Sequence, residues 1–373
     1  MKIVINALSA RLGGGQTYLK NLLAHLPEQP DLNILIYAPT SLCLPEDHRI
    51  RRGTTRWPTA NPMLRALWEK VALPRILTQE KAQVLFCPGG VIASPVPIGC
   101  KTVTMFRNMI PFDPVALARI PFGLQTVRNL ILKRVLLHSM ANADLTIFIS
   151  NYARRVIQTL TCVRNPVTIP HGISATFRTY SQALLRPAWL PTSEYLLYVS
   201  RFDVYKHQFE VATAFAALPS GLSKRYKLLL VGELDEVFVH RITDLAKLKG
   251  LETQMVIVGP IPYADLPGAY HHATVNLFAS SCENCPNILL EALGAGRPVL
   301  SSDVMPMPEF GANAVGYFSP TDPKSICDAL VQVLENEVLK NELASAAARR
   351  SADFDWVATS RVTWQKITEL VHL

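Results

Sequence analysis

Two carboxylates, Glu283 and Glu291, stand eight positions apart in the run Ser280-Ser281-Cys282-Glu283-Asn284-Cys285-Pro286-Asn287-Ile288-Leu289-Leu290-Glu291. Pro286 suits the first turn of a helix, where an N–H is not needed. Ile288 to Leu293 then reads as a buried helical run, which leaves Glu283 in the loop and sets Glu291 inside the helix. The open N–H groups around Pro286, Asn287 and Ile288, with Cys285 just ahead of them, favour an anion, most simply a phosphate. An ionised carboxylate accepts several hydrogen bonds, so carboxylates beside a phosphate site suit sugar hydroxyls. The combination suggests a nucleotide-sugar.

Other residues fit the same chemistry. Arg201 and Lys206 follow an apolar strand and lie five residues apart, spaced to clamp a diphosphate, Arg as a fork and Lys as a point charge. Gly13-Gly14-Gly15 follows the first strand-like run and opens a helix, and glycines let a backbone approach a phosphate closely. It is not a G-x-G-x-x-G fingerprint; a plain tight turn is the other reading. Arg107-Asn108 stands at the end of another strand, either in a bare loop or binding sugar or phosphate oxygens. Cys282 and Cys285 form a C-x-x-C, yet no second pair lies nearby and Glu283 sits between them.

The elements that must carry these residues alternate. Short β-rich runs read as strands at Lys2–Ala7, Asn33–Tyr37, Val84–Cys87, Thr102–Met105, Leu145–Ile149 and Val167–Ile169. A second series runs through Tyr195–Val199, Tyr226–Val231, Met255–Val258, Val275–Phe278 and Val299–Ser301, with helical runs between. That alternation indicates parallel α/β architecture. The irregular stretch 175–193, with Pro187 and Pro191, reads as the linker between two α/β halves. Ligands of such sheets bind at the carboxyl ends of strands.

The chain has 373 residues, 49% of them hydrophobic and 18% charged, which fits two globular domains and excludes general disorder. The net charge of +8 suits anionic partners such as nucleotides, diphosphate lipids or anionic membranes. Nucleic acid is not expected, since there is neither zinc-finger spacing nor an RNA-binding aromatic signature. Seven scattered cysteines indicate free thiols in a reducing compartment. No apolar run approaches a membrane span. The expected location is the cytoplasm, with peripheral attachment to the inner face of the membrane as a possibility. Two basic amphipathic stretches, Leu64–Ile76 and Val127–His138, read either as lipid-facing or as ordinary surface helices.

The pair Glu283 and Glu291, continued by Gly296-Arg297-Pro298-Val299-Leu300-Ser301-Ser302-Asp303, resembles the E-x7-E motif and following strand of the retaining glycosyltransferases of family 4. The resemblance implies the GT-B fold: two Rossmann-like domains facing across a cleft, with a C-terminal helix crossing back to the first. The implied boundaries are 1–175 for an acceptor-side domain, 176–350 for a nucleotide-sugar domain and 351–373 for the returning helix. It also implies roles. Glu283 faces the donor sugar and Glu291 the ribose; Arg201 and Lys206 stabilise the leaving diphosphate. Gly14 and Gly15 lie beside that diphosphate, and Pro260 and Tyr263 belong to the segment around the base. The family's usual His-Asp pair is replaced by Arg107-Asn108. His171 falls in a turn that is more often structural.

The activity so implied is hexosyl transfer from a nucleotide-sugar to a saccharide or lipid-diphosphate-linked acceptor, with retention, in cell-surface polysaccharide or lipopolysaccharide synthesis. No metal and no cofactor is implied. A nucleotide-sugar epimerase of the same fold, or a non-catalytic nucleotide-sugar-binding protein, are the alternatives. The second is motivated by the missing His-Asp.

Overall fold

The computed structural model describes every residue except Leu12, 120–122, 179–185 and Leu373, and the side chain of His372 is also set aside. The expected linker is therefore described at 175–178 and 186–193, and its middle lies outside the described residues. The chain divides into two units. Unit 1 is Met1–Gly172 with Trp356–Leu373, and unit 2 is Ile173–Asp355. The sequence reading set these divisions after 175 and after 350.

Unit 1 holds a parallel sheet of seven strands: β1 (Lys2–Asn6), β2 (Asn33–Tyr37), β3 (Ile50–Arg52), β4 (Val84–Cys87), β5 (Lys101–Phe106), β6 (Leu145–Phe148) and β7 (Pro166–Thr168). The order across the sheet is β3-β2-β1-β4-β5-β6-β7. The four central runs are buried along nearly their whole length, as a sheet covered on both faces requires. Their Val, Ile, Leu and Phe side chains make the core. Ser150 caps the helix after β6: its Oγ accepts from the Ala153 N–H at 3.1 Å. The closing helix Trp356–His372 belongs to this unit. Trp364 is buried there, and its indole N–H donates to the Leu22 carbonyl at 3.0 Å.

Unit 2 repeats the plan with six strands: β8 (Tyr195–Val199), β9 (Lys227–Val231), β10 (Met255–Val258), β11 (Val275–Phe278), β12 (Val299–Ser302) and β13 (Gly316–Phe318). They run parallel in the order β10-β9-β8-β11-β12-β13. The chain enters and leaves unit 2 side by side, since the Ile173 N–H donates to the Phe354 carbonyl at 3.1 Å.

Both sheets are Rossmann-like, and in each the strand order reverses beside the first strand. That reversal opens a crevice past the carboxyl ends, between β1 and β4 in unit 1 and between β8 and β11 in unit 2. Every strand read from the sequence is present within one residue at either end. The two that were not read, β3 and β13, are three-residue edge strands, only partly buried in pattern, so they carry no continuous apolar run.

Candidate functional site

In unit 2 the loops after β8 and β11 meet at the strand reversal. Lys206 comes from the first loop and Glu283 from the second, and the Lys206 Nζ donates to the Glu283 Oε1. The Lys206 side chain is 7% exposed and that of Glu283 17%. The ammonium also lies over two aromatic rings, 5.3 Å from the Tyr205 centroid and 5.5 Å from that of Phe278. Such faces favour a cation where water is scarce.

Several bonds fix this pair in place. The Ser281 N–H donates to the Tyr205 carbonyl at 2.8 Å, and the His207 Nε2 lies 2.8 Å from the Ser281 Oγ. His207 adopts φ 55, a left-handed conformation that turns the chain directly into helix Gln208–Ala216. The Tyr198 hydroxyl, on β8, donates to the Lys206 carbonyl. Gly232, just past β9, approaches the same loop so closely that a Cβ there would lie 2.2 Å from the Ser200 carbonyl oxygen, and its φ is +145. Only glycine fits.

The helix after β11 spans Asn287–Gly294 with Pro286 at its N-cap. Cys285, Pro286, Asn287 and Ile288 therefore form the helix start, at the carboxyl end of the sheet and two to five residues beyond Glu283. Glu291 lies on the buried side of this helix, 9% exposed. Burial raises its carboxyl pKa from the ordinary value to about 7, against a lowering by one hydrogen bond from Tyr263. That bond, from the Tyr263 hydroxyl to the Glu291 Oε1, is 2.9 Å long. Tyr263 is half exposed and rests edge-on against Phe177, with ring centroids 5.6 Å apart. Gly294, at the far end of the helix, lets Phe177 and Ile173 pack against it. Pro260 is exposed in the same loop as Tyr263.

Arg201 is placed differently from Lys206. Its side chain is 61% exposed and points toward Asp203, with Nε 3.9 Å from the carboxylate. The structure thus brings Lys206 and Glu283 together, and Tyr263 and Glu291 together, while leaving Arg201 at the rim.

In unit 1 the glycine turn and Arg107 meet. Gly13, φ +63, caps helix Gly14–Ala24, and a Cβ on Gly15 would lie 3.2 Å from the Arg107 Nη1. The Arg107 guanidinium stands 5.9 Å over the Tyr18 ring. Tyr18 in turn stacks on His171 at 5.5 Å, and His171 lies 5.4 Å from Trp356. His171 is buried in this aromatic group, which accords with a structural part. Asn108 is exposed and its Oδ1 accepts from the Ile110 N–H at 3.1 Å. Beyond β1, β2 and β3 a cavity of about 470 Å³ is lined by Arg11, Thr40, Ser41, Arg52, Thr55 and Thr59 among others.

Sequence reasoning missed a buried polar group in unit 1. Asn6, the last residue of β1, donates from Nδ2 to the Glu69 Oε1 at 2.9 Å, and Arg65 lies 3.9 Å from the same oxygen. Burial raises the Glu69 carboxyl pKa, opposed by those two partners. Glu69 sits in the stretch read as a basic amphipathic helix, where a single acidic residue looks like part of the solvated face. The contribution of Phe278 and Ser281 around Lys206 was also missed, because those contacts join residues far apart in the chain, and that of Tyr198 and Tyr205 because a strand-end pattern does not show which way their rings turn.

Comparison with known proteins places the chain. The model of the glycosyl transferases group 1 matches residues 186–350, and that of Glycosyltransferase Family 4 matches residues 12–177. The chain is 27% identical over 180 residues to the serotype-specific mannosyltransferase WbdA of Escherichia coli. That match takes in 48% of this chain but 22% of WbdA, so the chain spans only a fraction of that relative's length. It is 26% identical over 165 residues to the O-antigen chain mannosyltransferase B of Escherichia coli, covering 43% of this chain and 42% of that one. Among solved structures, sucrose-phosphate synthase from Thermosynechococcus elongatus superposes with a TM-score of 0.77 at 16% identity, over 99% of this chain and 98% of the other. WaaG, a glycosyltransferase involved in lipopolysaccharide biosynthesis, gives 0.73 at 14% identity, over 99% and 100%. Anabaena HepE in complex with UDP-glucose gives 0.75 at 16% identity, over 99% and 100%. At these identities the likeness shows the fold, which is GT-B.

Proposed function

Because the chain belongs to the glycosyl transferases of group 1 and has the GT-B fold, we propose that it transfers a hexose from a nucleotide-sugar to a saccharide, with retention at the anomeric carbon. The setting is cell-surface polysaccharide or lipopolysaccharide synthesis, a reading supported by the O-antigen chain in the name of one relative and the lipopolysaccharide biosynthesis named for WaaG. The observation that carries the proposal is the buried Lys206–Glu283 pair at the strand reversal of unit 2, beside a helix start.

Charge develops on the diphosphate as the bond to the sugar breaks. Lys206 is held at the strand reversal before the reaction, beside the start of helix Asn287–Gly294, and groups placed ahead of the charge they meet lower a barrier. Donor binding exchanges the ion pair: Lys206 turns to a phosphate oxygen and Glu283 to sugar hydroxyls. Arg201, exposed at the rim, swings onto the same diphosphate. Glu291 accepts from the ribose hydroxyls in place of Tyr263, and Tyr263 with Pro260 borders the base. These cations supply the neutralising charge, so the reading uses no metal and no cofactor.

Unit 1 takes the acceptor. The hydroxyl-rich cavity with Arg11, and the Arg107–Gly15 contact, supply donors for saccharide or phosphate oxygens. A lipid-diphosphate carrier is the acceptor class that the basic charge favours, and an anionic membrane surface is the place where it would be met. The HepE neighbour was solved with UDP-glucose and the curated relatives above are named as mannosyltransferases, so UDP- and GDP-hexoses are the first donors to try.

The test is release of nucleoside diphosphate in the presence of candidate acceptors. Glu283→Ala and Lys206→Ala should each abolish transfer with the fold intact. Nucleotide binding without turnover would favour the non-catalytic reading instead.

A further inference from the structure

Two helices of unit 1 are built inside out. In helix Leu124–Asn142, Leu124, Val127, Leu130, Ile131 and Val135 are all exposed, Leu124 at 92% and Ile131 at 57%. Their spacing of three and four residues puts them on one face. The face turned into the protein carries Asn129 and Ser139 beside Leu136 and Met140. Helix Pro62–Val71 does the same. Met63, Leu64, Leu67 and Val71 are exposed, Met63 at 81%, whereas Glu69 is buried with Trp68. An ordinary surface helix turns its apolar stripe to the core. Here the carboxylate is inside and the apolar side chains are in solvent.

Charge says what meets these faces. From 114 to 143 the sequence has no Asp or Glu but has Arg119, Arg128, Lys133 and Arg134. Arg128 and Arg134 are exposed on the outward side of their helix, and Lys70 on that of the other. A second copy of the chain would bring another +8 against this surface. No helix among the described residues is long and apolar enough to cross a membrane. A basic rim around an apolar face instead suits the headgroup boundary of an anionic bilayer.

We propose that the outward faces of helices Pro62–Val71 and Leu124–Asn142 insert into an anionic bilayer, with Arg128, Arg134 and Lys70 on lipid phosphates. This deepens the membrane part of the function proposed above, and its test requires no turnover.

The test is co-sedimentation of the full chain with vesicles of phosphatidylcholine alone and of phosphatidylcholine with phosphatidylglycerol. Binding is expected to the second and not the first, and to weaken with salt. Replacing Leu130 and Ile131 together by Ser should lower the partition coefficient at least roughly tenfold. Arg128→Gln with Arg134→Gln should lower it by a similar factor and flatten the salt dependence. All four side chains are exposed or at the rim, so melting temperatures should not change. Absence of binding to the anionic vesicles, or binding indifferent to Leu130 and Ile131, overturns the proposal. So does a vesicle-free dimer that the same Ser substitutions dissolve, which would make this a self-association face. A thermal shift with nucleotide, measured on the same samples, reports separately on the glycosyltransferase reading.

Discussion

Lys206 and Glu283, 77 residues apart in the chain, form an ion pair that is nearly sealed from water and roofed by the rings of Tyr205 and Phe278. Separating two such charges is costly unless each finds a new partner. A diphosphate and a sugar hydroxyl are partners of the right kind, one for each. On the function proposed above, the pair is held ready for both.

Removing one partner should expose this dependence. Lys206→Ala leaves the Glu283 carboxylate in a mostly buried position with no counter-charge, which costs about 3 kcal/mol or more. Transfer should fall by at least about a hundredfold, as it does when a single preorganised charge-stabilising donor is lost. Denaturant melts and single-turnover rates on Lys206→Ala and Lys206→Met check the two effects separately. Unchanged rates would remove Lys206 from the mechanism.

Glu291 should make stability depend on pH. Its folded pKa of about 7 lies above the ordinary carboxyl value, because burial penalises the charge. A raised pKa means that the neutral form is favoured by folding. The contribution is intact below the unfolded value and is lost as pH rises toward and through 7. Glu291→Gln should match the parent near pH 4 and exceed it at pH 8 by at most about 3 kcal/mol. Ribose hydroxyls that prefer the ionised carboxylate should make nucleotide binding tighten over the same range, and Glu291→Gln should flatten that trend. Melting curves and titration calorimetry from pH 5 to 8 read both.

Gly232 is a packing prediction. Any Cβ meets the Ser200 carbonyl at 2.2 Å, and φ +145 suits glycine alone. Gly232→Ala should destabilise by at least about 2 kcal/mol and disturb the loop that carries Arg201 and Lys206. A melt close to that of the parent would contradict the close approach.

Gly15→Ala should behave in the opposite way. The added methyl meets the flexible end of Arg107 at 3.2 Å, and the guanidinium can move. Stability should change by less than about 1 kcal/mol, while KM for donor or acceptor rises as Arg107 is displaced. Arg107→Ala should reproduce the kinetic effect, and a Gly15→Ala enzyme with parental KM would argue against a binding role for this contact.

Much of this arrangement was legible in the sequence because local rules govern it. Buried parallel strands are continuous apolar runs, so β1, β8 and β11 were readable. Pro286 marked the helix start, and the spacing from Glu283 to Glu291 fixed one residue in a loop and the other in the helix. The GT-B fold followed from the resemblance and agrees with the superpositions. What was not legible depends on contacts between distant segments. Nothing near Lys206 announces Phe278 and Ser281 as its surroundings, and nothing near Glu291 announces Tyr263 as its hydrogen-bond donor. The exposed apolar side chains of the 124–142 helix carry the same composition as a core-facing helix. Only the fold shows which way they point.

The most direct measurement is a thermal-shift panel of UDP, GDP, ADP and their sugars on the parent chain and on Lys206→Ala, with and without a chelator. One nucleotide class should stabilise the parent, by ~2.7 kcal/mol at ~100 times its dissociation constant. The shift should survive chelation and shrink sharply in Lys206→Ala. No shift with any nucleotide, or an equal shift in Lys206→Ala, would contradict the assignment of this site.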